Sequence, residues 1–202
     1  MPHESLKPRA PLIDLPFASA ALRGVFVEYR DGHGLATVHV RKGQISALAQ
    51  RLREQFGIEL PRGPRRHAAG GVAFAGIAPQ AWLATSEAGD GFAASLTETI
   101  GALAAIADQS SGFALLRLTG PKVRDTLAKL VPLDLHERSF AAEDVAATLA
   151  AQVGITLWRL PDGADGSPVF ELLLSRSVAG SFWHALASSA AEFGLVVNSS
   201  SG

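Results

Sequence analysis

Residues 68–86 contain no Asp, Glu, Lys or Arg, and this run limits the possible folds more than any other feature of the chain. An uncharged run has to be hidden from water, in a bilayer or in a protein core. A membrane span needs roughly 20 predominantly apolar residues in an unbroken helix. This run is interrupted by Gly70, Gly71, Gly76 and Pro79, residues that weaken or break a helix. Its two β-rich pieces, 72–77 and 81–85, flank Ala78-Pro79-Gln80, which supplies turn residues. The run therefore predicts paired core strands, and no membrane is expected as a partner.

The rest of the chain alternates between the two hydrophobic periods. Residues 44–56 carry Ile45, Leu48, Ala49, Leu52 and Phe56 on one helical face, with Gly57 as a stop. Asp90 is placed to cap a second helix whose stripe is Phe92, Leu96, Ile100 and Leu103. Thr119-Gly120-Pro121 opens a third, with Val123, Leu127 and Leu130 inward. Ser177 is placed to cap a last helix, with Val178, Phe182, Leu186 and Phe193 inward and Gly194 ending it. Strands are expected at 105–110, 113–118, 145–151, 155–160 and 169–174, with Gly154 separating the third and fourth. Residues 25–40 read as a hairpin turned by Asp31-Gly32-His33-Gly34. This order predicts an α+β fold of two similar strand–helix halves with antiparallel sheets. The halves are expected near 20–104 and 105–197, within one domain spanning 19–197. Residues 1–18, rich in proline, read as an extended arm suited to lie on a partner, and 198–202 as a flexible tail.

The 202 residues are enough for one sizeable core. A net charge of −1 gives no long-range attraction to nucleic acid. Charged residues make up 18%, against about 25% in typical soluble domains. That deficit fits a chain that hides surface against partners, and it equally fits an Ala- and Gly-rich compositional bias. The absence of cysteine excludes disulfides, iron–sulfur clusters, cysteine-ligated zinc and a cysteine nucleophile. It also fits a cytoplasmic protein. Residues 1–9 have no apolar core, so no secretory signal is expected.

Motifs that carry chemistry are nearly absent. Gly32-His33-Gly34 lacks the third glycine of a dinucleotide-binding loop, and there is no Walker sequence, nucleophile elbow or His-Glu-x-x-His pair. His3, His33, His39, His67, His136 and His184 are never three or four positions apart, so none forms a helical metal pair. Arg65-Arg66-His67 offers a contact for a phosphate or an acidic partner or, more simply, a solvated loop. Asp108-Gln109-Ser110 offers a polar site or a turn cluster. Arg117, inside an apolar strand, offers a carboxylate contact or a structural ion pair. On this reading no residue is assigned a catalytic or metal-binding role, and no cofactor-binding residue is identified.

The second half carries a sharper signal. Asp108-Gln109-Ser110-Ser111-Gly112-Phe113, Leu116-Arg117-Leu118-Thr119-Gly120-Pro121 and Pro132-Leu133-Asp134-Leu135-His136 resemble the sarcosine oxidase gamma subunit family. Val131 stands where that family has a cysteine before the Pro-Leu-Asp-Leu-His run. Leu157-Trp158-Arg159-Leu160, Phe170-Glu171-Leu172 and Ser181-Phe182-Trp183-His184-Ala185-Leu186 are similar to its later strands and last helix, and Pro79-Gln80-Ala81-Trp82-Leu83 to an earlier segment.

The resemblance implies the fold of the aminomethyltransferase (glycine-cleavage T-protein) folate-binding domain. It also implies a non-catalytic place in an αβγδ assembly that demethylates sarcosine, forms hydrogen peroxide and passes the one-carbon unit to tetrahydrofolate. FAD, FMN, NAD and tetrahydrofolate are then expected on partner subunits, zinc on the delta subunit, and none of them on this chain. Aminomethyltransferases carry an acid just before a strand that resembles 155–159. Gly154 stands near that place, which implies that folate chemistry is missing here. The same resemblance admits the equivalent subunit of a related N-methyl amino acid oxidase or dehydrogenase, or a free-standing folate-binding protein.

Overall fold

The computed structural model describes residues 22–30 and 32–198. The expected arm at 1–18 and the tail at 199–202 lie outside these. Element order is β1 (Val25–Tyr29), β2 (Gly34–Val40), α1 (Ile45–Phe56), β3 (Arg66–Ala69), β4 (Val72–Ala78), β5 (Ala81–Ser86), α2 (Phe92–Ile100) and β6 (Ala104–Asp108). Then follow β7 (Phe113–Thr119), α3 (Val123–Ala128), β8 (Val145–Ala150), β9 (Val153–Leu160), β10 (Val169–Ser175), α4 (Ala179–Ala190) and β11 (Leu195–Asn198).

The strands form two sheets. One runs β11-β1-β7-β10-β9-β8, the other β3-β4-β5-β2-β6. They stack face to face through Leu35, Ala75 and Leu83 of one and Leu115, Val145, Trp158 and Leu173 of the other. The outer face of the six-stranded sheet buries Leu116, Leu118, Phe170 and Leu172 against Leu127 of α3 and Phe182 and Leu186 of α4. The outer face of the five-stranded sheet buries Val38, Phe74 and Ala84 against Leu48 and Leu52 of α1 and Leu96 and Ile100 of α2. The result is a four-layer helix–sheet–sheet–helix arrangement, in which alternate residues of each central strand serve different cores.

Both halves follow the order strand, helix, three strands, helix, strand. Matching β2–β6 to β7–β11 in order makes the two sheets the same, except that β1 lies between β7 and β11. Since β6 completes the first sheet, the repeat boundary we propose falls between Asp108 and Phe113, a few residues beyond 104.

Several local expectations change. Residues 25–40 do not form a hairpin: β1 pairs with β7 and β11, whereas β2 pairs with β5 and β6. Val25 and Val27 belong to the core beside α3 and α4, and Val38 to the core beside α1 and α2, so the connection crosses between sheets. Gly34 permits this crossing, because a Cβ there would lie 2.5 Å from the Phe92 Cβ of α2. Asp90 does not cap α2 and Ser177 does not cap α4. The N-caps are Gly91 and Val178, without side-chain bonds, and Ser177 sits in a 3₁₀ turn at Arg176–Val178. Gly154 lies inside β9, and the β8–β9 turn is made by Ala151 and Gln152, at φ 47° and 68°. Two short strands, β3 and β11, are additional, and Asn198 closes β11 rather than starting the tail. As expected, α1 ends at Gly57, with φ 68° and its N–H donating to the Arg53 carbonyl.

Candidate functional site

A polar cluster lies between the sheets. Arg117, Glu171 and Trp158 are cross-strand neighbours on β7, β10 and β9, so register alone brings them together. The Arg117 Nε and a terminal nitrogen donate to Glu171 Oε1 at 2.9 and 2.7 Å, and Trp158 Nε1 donates to Oε2 at 2.7 Å. The Glu171 side chain is 6% exposed and that of Arg117 30%. Each Glu171 oxygen is thereby satisfied, as a buried carboxylate requires.

Arg66, at the start of β3, approaches from the other sheet. Its guanidinium donates to Glu143 Oε2 at 2.9 Å, and its N–H donates to the Glu143 carbonyl at 2.8 Å. Glu143 has φ 68°, a conformation that costs an L-residue about 1–2 kcal/mol, and these two bonds together with its own N–H to the Arg159 carbonyl hold it there. Arg66 and Arg117 both line two clefts, of about 420 and 250 Å³. The arrangement can present guanidinium N–H groups to an anion, but each cation already faces a carboxylate.

The basic run Arg65-Arg66-His67 is therefore not a solvated loop. It diverges into three structural contacts: Arg65 to Asp144, Arg66 to Glu143, and the His67 Nδ1 to the Glu59 carbonyl at 2.6 Å. The Val145 N–H donates to the Pro64 carbonyl at 2.9 Å, and the Gly76 N–H to the Arg65 carbonyl at 2.9 Å. Main chain at 64–66 thus stitches the β3–β4 edge of one sheet to the start of β8 in the other.

The Asp108-Gln109-Ser110 segment is a turn cluster. Asp108 accepts from the Ser110 hydroxyl at 2.7 Å and from its N–H at 2.9 Å. These bonds, the hydroxyl first, hold its carboxyl below the ordinary range. His39, His136 and His184 are exposed, and His33 lies 3.2 Å from a guanidinium nitrogen of Arg30. His3 lies outside the described residues. Among the described residues no group of three or more His, Cys, Asp or Glu side chains is placed to hold a metal ion. No helix there is long and apolar enough to cross a membrane. Gly154 is exposed in β9, with nothing within 4 Å of where a Cβ would be.

A separate cavity of about 740 Å³ opens beside β8, lined by Ile45, Pro64, Gly76, Ile77, Ala78 and Ala147 among others. Its size is within the range of small-molecule sites, yet its only charged lining groups are Arg53, Glu59 and Arg62. No motif had pointed to it.

The Pro-Leu-Asp-Leu-His run has a structural role. Asp134 accepts from the His136 N–H at 2.9 Å and the Ser139 hydroxyl at 2.5 Å, and the Arg124 Nε donates to the Leu135 carbonyl at 3.1 Å. These bonds fix the exit from α3 while Leu135 enters the core. Comparison with known families gives this run its context: the family described as "Sarcosine oxidase, gamma subunit family" matches residues 42–192. The chain belongs to that family.

Within the family, the sarcosine oxidase subunit gamma of Arthrobacter sp. is 34% identical over 125 residues, covering 60% of this chain and 62% of that one. The chain thus spans about three fifths of the length of this curated relative. Among solved structures, a chain of the heterotetrameric sarcosine oxidase from Corynebacterium sp. U-96 matches with a TM-score of 0.74 at 24% identity, covering 87% of this chain and 88% of that one. The glycine cleavage system aminomethyltransferase T from Bartonella henselae matches with a TM-score of 0.62 at 15% identity, covering 89% and 48%. At these identities the two structures establish a shared fold: an α+β architecture common to the gamma family and the T-protein.

Proposed function

We propose that this chain is the non-catalytic gamma-type subunit of a heterotetrameric, sarcosine oxidase-type oxidoreductase. The observation that carries this reading is membership of the gamma subunit family over residues 42–192, joined to a fold likeness that covers nearly the whole of a chain from such an oxidase. On this reading the partners are alpha, beta and delta subunits in the cytoplasm. FAD, FMN, NAD and tetrahydrofolate sit on partner subunits, where the N-methyl group of sarcosine is oxidised.

A scaffolding role fits the interior of the chain. Leu35, Leu83, Leu115, Trp158 and Leu173 fill the space between the sheet centres, which leaves no bed there for a pteridine. Arg117 is committed to Glu171 and Arg66 to Glu143. Gly154 supplies no carboxylate.

The test is native mass spectrometry of the tagged chain from its own cell, with a visible spectrum of the same sample. Recovery with three other subunits and flavin absorbance is the expected result, and turnover of a panel of N-methyl amino acids then names the substrate. A colourless monomer that binds tetrahydrofolate would overturn the reading in favour of a free-standing folate-binding protein, the alternative that the likeness to aminomethyltransferase T supports.

A further inference from the structure

The outer edge of β8 carries an inference that rests on the subunit role just proposed. An edge strand exposes a row of unpaired backbone groups, and proteins usually blunt it with charge, proline or a bulge. Val145–Ala150 reads VAATLA, with none of these. Its pairing with β9 fixes which groups point outward. The Arg159 N–H donates to the Asp144 carbonyl, so by alternation residues 146, 148 and 150 bond to β9. Residues 145, 147 and 149 point away. The first outward N–H, of Val145, is taken by the Pro64 carbonyl. The row then stops, because the chain turns away at Gly63, at φ 73°. Among the described residues nothing pairs with the outward peptide groups of Ala147 and Leu149, which are left on the open edge.

The apolar cavity of about 740 Å³ lies beside this open edge, bounded by Pro64, Gly76, Ala78 and Ala147. Leu149, at 55% exposure, stands next along the same strand face as Ala147, and Ile45, at 48%, lines the cavity. The rim is positive. Glu59 is held by two bonds from Arg53, so among the charged lining groups Arg53, Arg62 and Glu59 one positive charge is in excess.

We propose that a partner subunit docks here by adding an extended, acidic–apolar segment to β8 as a further strand. Its backbone pairs with Ala147 and Leu149 in continuation of the row begun by Pro64. Alternate apolar side chains enter the cavity, and a carboxylate meets Arg62. Main-chain bonds supply affinity in this mode, and the pockets for alternate side chains supply selectivity.

The experiment is hydrogen exchange on the purified full-length chain, free and in its native complex, read at peptides covering 146–150. On assembly the Ala147 and Leu149 amides slow by about a hundredfold or more, a change that requires new backbone bonds. A second readout uses Leu149→Lys, which adds a charge to an exposed edge position. It leaves the melting temperature of the free chain unchanged and reduces recovery of partner subunits at least tenfold. Arg62→Glu slows association at low salt, where rim charges act. A complex that forms normally while both amides exchange as in the free chain overturns the docking site and leaves the subunit role standing. Failure of the unaltered chain to recover any partner overturns the subunit role itself. A homodimer that protects these amides without partners overturns the choice of occupant.

Discussion

Replacing Arg117 with Met tests whether the cross-strand cluster holds the two halves of the six-stranded sheet in register. Arg117 donates both bonds received by Glu171 Oε1, and the carboxylate is 6% exposed. Without the guanidinium, Glu171 keeps one donor, the Trp158 indole. Breaking a buried pair from one side costs about 3–5 kcal/mol, because the remaining charge stays buried without compensation. Arg117 is 30% exposed, so water reaches part of the vacated space and the cost falls at the lower end, about 3 kcal/mol. For a domain of this size that corresponds to a fall in melting temperature of roughly 6–12 °C. Urea denaturation of Arg117→Met, Glu171→Leu and the double variant measures it. The double variant removes both charges together and recovers most of the loss, since an apolar replacement of the whole pair is often close to neutral. A loss below about 1 kcal/mol for Arg117→Met, or a double variant no more stable than the single one, would refute this account.

Other consequences are independent of the cluster. Gln152 holds φ 68° in the two-residue β8–β9 turn; Gln152→Gly removes strain of about 1–2 kcal/mol, offset in part by unfolded-chain entropy, and raises stability by about 0.5–1 kcal/mol in denaturant titration. Phe182 is fully buried between α4 and the six-stranded sheet, so Phe182→Ala costs about 3–5 kcal/mol, and a melting curve matching the parent would show that this face is not core. Asp134 is held below its ordinary value of 3.8, first by the Ser139 hydroxyl and then by the His136 N–H. Its contribution to stability is present above the unfolded value and is lost as pH falls through the lower folded value. Ser139→Ala removes the larger cause, and an NMR titration of the Asp134 carboxyl should show its pKa rise.

Local pattern carried the helices and the central strands. The apolar spacing of α1 and α4 and the glycine stop at Gly57 are short-range signals that survive in the fold, whereas α4 ends at Ala190 with Ala191 as its C-cap, short of the stop expected at Gly194. The pairing of β1 was not local. Its neighbours β7 and β11 lie far along the sequence, so the turn-forming residue types at 31–34 looked like a hairpin. Strand β3 was hidden because Arg66 and His67 read as loop residues, although their charges are answered by Glu143 and main chain of distant segments. The inter-sheet cluster was legible only in part. Arg117 stood out as a charge in an apolar strand, whereas Glu171 and Trp158 become its partners through register, which composition does not encode. A carboxylate inside another apolar strand was the available cue. The open edge of β8 was less visible still, because an uncharged six-residue strand looks the same at the edge of a sheet as at its centre.

One substitution separates two explanations for the expected loss of folate chemistry in this chain. Gly154 shares the inter-sheet side of β9 with Thr156 and Trp158, but lies where the opposing sheet no longer covers it. A side chain added there meets nothing within 4 Å and requires no left-handed backbone. Gly154→Asp is therefore expected to change stability by no more than about 0.5 kcal/mol, as at other exposed surface positions. If the missing carboxylate were the whole deficit, the variant would gain measurable affinity for tetrahydrofolate in a calorimetric titration. The packing argues otherwise: Trp158 and Leu115 occupy the centre of the inter-sheet space, with the Trp158 indole tied to Glu171. The expected result is a folded variant with no gain in binding. A gain would locate the loss in one carboxylate rather than in the filling of the space between the sheets.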